Sequence, residues 1–169
     1  MVAFSRPQIH IRWLINRDMP AVLEIERQSF EFAWTAEDFR RARLRNGCVC
    51  MVALVDGQIA GYFVFEHHPT RFHIIAFAVA KQYRRRGVGR AMVENLAGRM
   101  KVGRREKVML EVRETNLSAQ KFFRACGFVA TCIIRGMYED SDEEAYQMVR
   151  YHDPSLDEVE DFMVVSVPR

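Results

Sequence analysis

Residues 83–92, YRRRGVGRAM, set three consecutive arginines against two glycines one residue apart. The apolar run HIIAFAVA (73–80) precedes them. After them Val88, Met92, Leu96 and Met100 recur at helical spacing, so strand, turn and helix follow without interruption. Such a turn aims backbone N–H groups at one point, the helix dipole reinforces them, and glycine lets a ligand approach the main chain. The stretch therefore predicts an anion site, phosphate first among anions.

Several phosphate binders share this logic, and spacing separates them. A P-loop needs G-x-x-x-x-G-K-[ST], and the lysine and hydroxyl residue are absent at those places. A dinucleotide fold wants a third glycine, where this chain has Met92 after Gly87-Val88-Gly89-Arg90-Ala91. A nucleic-acid track fits poorly, because no aromatic residues interleave the arginines and the C-terminal part is acidic.

Composition bounds the rest. With 169 residues and 49% hydrophobic content the chain suits one globular domain with a substantial core. No apolar stretch is long enough to span a bilayer, and MVAFSRPQIHIRW lacks the layout of a secretory signal, so the expected compartment is the cytosol, with no membrane partner. Cys48, Cys50, Cys126 and Cys132 lie on apolar segments without a C-x-x-C pair, which predicts buried reduced thiols. No metal site is expected, His67-His68-Pro69 reading as a polar loop. Ten basic residues from Lys81 to Lys107 (Arg104 among them) face only Glu94 and Glu106, whereas Glu139 to Asp161 is strongly acidic. That asymmetry suggests an anionic ligand at the first region, and at the second either a cationic partner or a solvated tail.

Hydrophobic period and turn chemistry give the elements. QIHIRWLI (8–15) alternates as a strand, and Asp18 before Pro20 reads as a helix start. Thr35-Ala-Glu-Asp38 resembles a capping box for a second helix running to about Asn46, with Gly47 to stop it. CVCMVALV and QIAGYFVFE flank Asp56-Gly57, a hairpin signal, and FHIIAFAVA continues the meander. After the helix from Val88 come KVMLEV, a helix from Asn116 to Ala125 stopped at Gly127, and the strands FVATCIIR and EEAYQMVRY. The order β-α-α-β-β-β-α-β-α-β-β is that of an α/β (α+β) domain over residues 1–153. Its mixed sheet carries helices on its faces. Residues 154–169 read as a C-terminal tail whose apolar FMVVSV packs on the body or on a partner.

Arg84-x-x-Gly87-x-Gly89 at a helix head matches the acyl-CoA signature Q/R-x-x-G-x-G/A of the GNAT acetyltransferase superfamily, and the element order agrees from about residue 8 to 151. FAWTAEDF, LEVRETN (110–116), FFRACGF (122–128) and RGMYED with EEAYQM (135–148) resemble the RimI-like branch, which acetylates the N-terminal amine of proteins, ribosomal proteins among them. The resemblance implies a GNAT fold, with a mostly antiparallel sheet and a strand splay where acetyl-CoA lies. Backbone of Arg85, Arg86, Gly87, Val88, Gly89 and Arg90, with Arg84 nearby, would hold the pyrophosphate. Amides around Phe77, Ala78 and Val79 would meet the pantetheine arm and thioester oxygen. Asn116 would bond the cofactor arm, or cap the following helix, or both.

The same resemblance makes Glu111 the general base, acting directly or through water. Alternation in KVMLEV puts Met109, Glu111 and Arg113 on the face opposite Val108, Leu110 and Val112, so the bland alternative is a Glu111–Arg113 pair. Phe123, expected against the cofactor, stands where relatives carry a tyrosine acid, and a phenyl ring cannot donate. Tyr138 is the substitute, for proton donation or substrate positioning, unless it anchors its loop. Phe32, Trp34 and Tyr62 line the peptide groove or belong to the core. Ala33 replaces the family's proline before Trp34, and Glu139, Asp140 and Asp142 are placed to favour peptides with basic residues. The rival readings are acetylation of a small amine or a lysine, and a non-catalytic acyl-CoA-binding module.

Overall fold

The computed structural model describes residues 8–103, 105–153 and 163–167. Arg104 and the acidic residues Asp157 to Asp161 lie outside them. The chain divides into two compact units, one of residues up to His67 with Ile74–Leu96, the other of His68–His73 with residues from Ala97 on. There are eight strands and four α-helices among the described residues, and the mixed sheet expected from the sequence is present.

In the first unit β1 (Ile9–Trp13), β2 (Cys48–Val55) and β3 (Gln58–His67) form an antiparallel meander, joined to β4 (Arg71–Val79), of which Ile74–Val79 belongs here. The β2–β3 turn is the predicted Asp56-Gly57 pair, with φ of +50° and +79°, the backbone a tight hairpin demands. α1 (Met19–Ser29) and α2 (Ala36–Leu44) bury Val22, Ile25, Phe39 and Ala42 against Cys50, Val52, Tyr62 and Val64. The Thr35 capping box forms, with the Asp38 amide donating to the Thr35 hydroxyl at 3.2 Å and the Thr35 amide to Asp38 at 2.9 Å. Asp18, expected to cap α1, does not; its carboxylate accepts from Arg12 at 2.6 and 2.9 Å and from the Ile15 amide at 2.9 Å. Hydrogen bonding by Arg12 outweighs burial and holds that carboxyl below its ordinary range.

Successive residues of a strand face opposite ways, so Tyr62 and Gly61 look to different layers. On the Gly61 side lies the start of α3 (Val88–Gly103), whose predicted stripe Val88, Met92, Leu96 and Met100 is buried. A Cβ on Gly61 would stand 2.8 Å from the Ala78 carbonyl oxygen and 3.1 Å from the Met92 sulfur. Glycine is what lets β3, β4 and α3 pack this tightly.

In the second unit β5 (Lys107–Arg113) runs parallel to the start of β4 through three pairs, Arg71–Lys107 to His73–Met109. On its other side it pairs antiparallel with β7 (Ala145–Tyr151), which pairs antiparallel with β6 (Val129–Arg135). α4 (Leu117–Ala125) connects β5 to β6. Part of the expected tail forms an eighth strand, β8 (Met163–Ser166), parallel to β6. Met163, Val164 and Val165 stay 45–59% exposed there, so the tail docks through its backbone rather than its side chains. None of the four cysteines is in a disulfide, and three of them are buried; among the described residues no helix is long and apolar enough to cross a membrane.

Two glycines make a paired prediction. Gly61→Ala should lower stability by about 1–3 kcal/mol through overpacking. Gly98→Ala, at an exposed position inside α3 with no heavy atom within 4 Å of the new methyl, should raise it by about 0.5–1 kcal/mol. Urea midpoints of the two variants against wild type check both signs.

Candidate functional site

The first unit holds the turn that the sequence suggests for an anion. After β4 a short 3₁₀ turn, Lys81–Tyr83, leads into Arg84–Gly87, where Arg85 and Gly87 adopt φ of +62° and +86°. Two left-handed residues within three positions bring the chain abruptly to the head of α3, whose first helical bond runs from the Ala91 amide to the Gly87 carbonyl at 2.9 Å. The amides of the first turn of α3 precede that bond, and a helix head of this kind points its donors outward. No heavy atom lies within 4 Å of where a Gly87 side chain would begin. The turn is open where an acyl-CoA phosphate has to approach, so these residues fit that group.

Individual side chains of the turn divide the work. Val88 is buried and fixes the start of the helix. Arg84, expected near the pyrophosphate, is turned back into the fold: its Nε donates to the Val79 carbonyl at 2.9 Å and an Nη to the Ser29 hydroxyl at 3.4 Å. Arg86 stacks over Tyr83, 5.5 Å from the ring centre, and Arg85 and Arg90 are exposed. Along β4, Ile75, Ala76, Phe77 and Val79 are only half-buried, while Ala78 is buried.

Of the aromatic candidates, Phe32 is 62% exposed and Trp34 half-buried. Tyr62 is a correction: it is fully buried, edge-on to Phe39, which in turn meets Trp34 edge-on at 5.2 Å between centroids. The Tyr62 hydroxyl donates to the buried carboxylate of Glu26 in α1, whose other oxygen accepts from the Trp34 amide at 2.8 Å. A phenol with a buried partner is a core residue, not a groove wall. Burial pushes the Glu26 carboxyl above the usual carboxylate range, and the Trp34 hydrogen bond offsets part of that.

The second unit carries the ionisable cluster. The β5 alternation is as predicted: Val108, Leu110 and Val112 are buried, and Glu111 projects from the opposite face with its side chain 10% exposed. Its partner is His73 of β4, Nε2 to Oε2 2.6 Å, and not Arg113. His73 is the more accessible of the two, at 22%. Sequence reasoning missed it. The available signal was a single imidazole between the buried Phe72 and Ile74; what set it beside Glu111 was the parallel register, which local sequence does not encode.

Arg113 instead gathers the β6–β7 loop. It donates to both oxygens of Asp140 (2.7 and 3.0 Å), to Glu143 at 2.8 Å and to the Ser141 hydroxyl at 3.0 Å, and its guanidinium lies 3.8 Å from the Tyr138 ring centre. Burial disfavours the Arg113 charge, but these carboxylates outweigh it and raise the pKa. Asp140 is therefore engaged within the fold rather than offered to a basic peptide, which corrects its expected role. Burial also raises the Tyr138 phenol, with Arg113 pulling the other way and the nearby charge of Glu111 adding to the rise. Asn116 caps α4, its side-chain oxygen accepting from the Ala119 amide at 3.1 Å. Phe123, expected along the cofactor, is buried between Phe122 and Phe128, with centroids at 5.0 and 5.3 Å, and serves the core.

Residues 19–128 match the acetyltransferase (GNAT) family, and the chain belongs to it. An uncharacterized N-acetyltransferase of Methanocaldococcus jannaschii is 30% identical over 142 residues, covering 83% of this chain and 90% of the relative. An N-alpha-acetyltransferase of Sulfurisphaera tokodaii is 36% identical over 110 residues, 57% of this chain and 65% of the relative. The crystal structure of the ribosomal-protein-S18-alanine N-acetyltransferase from Escherichia coli superposes with a TM-score of 0.76 at 25% identity, covering 86% of this chain and 95% of that one.

Arg113→Ala should release the β6–β7 loop. Amide exchange over residues 138–144, followed by mass spectrometry, is expected to accelerate about tenfold, the scale of losing charge-assisted hydrogen bonds.

Proposed function

We propose that the protein transfers the acetyl group of acetyl-CoA to the free α-amine at the N-terminus of a protein or peptide, by direct attack on the thioester. The observation that carries this reading is the 2.6 Å pairing of Glu111 with His73 on two strands whose neighbouring residues are apolar. A carboxylate and an imidazole so placed accept a proton and have few structural uses there. The relatives named N-alpha-acetyltransferase and ribosomal-protein-alanine N-acetyltransferase support the same acceptor.

In this reading the turn from Arg85 to Arg90 takes the CoA phosphates, and amides around Phe77 to Val79 take the pantetheine arm and the thioester oxygen. The acceptor ammonium gives a proton to Glu111, directly or through His73. Its neutral nitrogen attacks the thioester carbon; a C–N bond forms, the negative charge passes to the carbonyl oxygen, the now cationic nitrogen releases its second proton to solvent, and collapse breaks the C–S bond to leave a neutral amide. The thiolate departs with CoA and is protonated by solvent, since a thiol of pKa near 8.5 is a competent leaving group. Tyr138, with its phenol raised, is a poor proton donor to a thiolate and acts instead as a hydrogen-bonding wall for the acceptor. An α-amine, with a pKa of roughly 7.7–8.0 against about 10.4 for lysine, suits a carboxylate base. Four cysteines outside any disulfide favour the reducing cytosol as the compartment.

Mass spectrometry of acetyl transfer to peptides with free Ala, Ser or Met termini, beside N-terminally blocked lysine peptides and small amines, tests the reading. Product is expected on α-amines alone, and Glu111→Gln should lower kcat/KM by about 10²- to 10³-fold while CoA still stabilises the variant thermally. Acetyl groups on lysine or small amines only, or an unimpaired Glu111→Gln, would sink it.

A further inference from the structure

Glu26 is a buried carboxyl that the proposed chemistry does not use. It is 2% exposed, burial raises its pKa, and no charged side chain offsets that burial. Keeping such a group is costly, and an apolar side chain of similar size would fill the space without that cost. What the carboxyl adds is two acceptor oxygens on one short side chain. One takes the Trp34 amide at 2.8 Å; the other takes the Tyr62 hydroxyl.

The first of those bonds matters because of where Trp34 sits. The segment Phe30–Thr35 links α1 to α2 and contains neither proline nor glycine to preset its backbone. It is fastened at its ends, by the Phe30 amide on the Glu26 carbonyl and by the Thr35 capping box. Among the described residues, the Trp34 amide to Glu26 is the one hydrogen bond made by the backbone from Glu31 to Trp34. The same segment shows Phe30 at 39% and Phe32 at 62% exposure beside half-buried Trp34. That is a large aromatic surface on a short loop, the chemistry that grips a peptide.

We propose, building on the acceptor reading above, that Glu26 is a positioning residue: by fixing the Phe30–Thr35 loop it sets how tightly the acceptor peptide is held, without touching the reacting atoms. Tyr62 holds the carboxyl in the rotamer that reaches Trp34. Glutamine, which keeps an acceptor oxygen for Trp34, should preserve the function, and leucine should abolish it.

Trp13→Phe leaves Trp34 as the sole tryptophan, so its fluorescence reports on the loop without any turnover. In that background Glu26→Leu is expected to increase acrylamide quenching of Trp34. It should also raise the peptide KM about tenfold, the scale of a lost charge-assisted hydrogen bond, with kcat and the acetyl-CoA KM little changed. Glu26→Gln should behave as wild type in both measurements. If leucine alone prevents folding, Glu26→Leu with Tyr62→Phe removes the whole polar pair and poses the same question. Unchanged quenching, an unchanged peptide KM, or a Gln variant as impaired as the Leu variant overturns the positioning role. Wild-type transfer to small amines alone overturns the acceptor reading and the role with it, a result distinguishable because quenching still reports whether the loop is anchored.

Discussion

A carboxylate taken out of water has to be met by donors, and in this protein that constraint organises the loops around the strands. Asp18 is met by Arg12 and the Ile15 amide, which ties the end of β1 to the start of α1. Glu26 is met by Trp34 and Tyr62, which ties α1 to the loop that follows it and to β3. Glu111 is met by His73, across the short parallel ladder. Glu26 and Glu111 lie on regular elements and Asp18 at the head of one, and each partner fixes something irregular or distant in sequence. Loss of one partner would leave a buried charge uncompensated, so these bonds specify conformation at least as much as they stabilise it.

Two arginines, one in each unit, show the same pattern in reverse. Arg84 belongs to the sequence signature that suggests phosphate binding, yet it spends its donors on Val79 and Ser29. It thereby ties the end of β4 to the turn that follows it. Arg113 draws Asp140, Ser141 and Glu143 together and presses on Tyr138. In both cases a charged residue that reads as a ligand-facing group acts through the main chain or loop it immobilises.

What the sequence disclosed follows from the range of the interactions involved. The Thr35 capping box, the Asp56-Gly57 turn, the α3 stripe and the β5 alternation are local patterns, set by residues within a few positions of one another, and all are present. The sharp turn between β4 and α3 was legible for the same reason. His73 was not, because its role depends on which residue a parallel strand places beside it. Tyr62 was ambiguous, and Phe123 was assigned to the cofactor, because an aromatic residue on a strand or helix suits a ligand and a core equally until burial is known. Asp18 has the composition of a helix cap, and only the distant Arg12 diverts it. β8 was not read as a strand because a short, mostly apolar run after an acidic stretch carries no pairing information of its own.

That last strand also changes which backbone the sheet leaves open. β8 occupies the β6 edge from Cys132 to Arg135, and the Val167 amide adds a bond to the Arg135 carbonyl at 2.9 Å. Without it, β6 would present a longer row of unpaired donors and acceptors, a template for stray chains. With it, the rim moves outward to a strand of four residues, too short to offer a visiting strand more than a few bonds. The tail thus serves as a selvage: it finishes the edge of the sheet so that the fabric does not bind to itself.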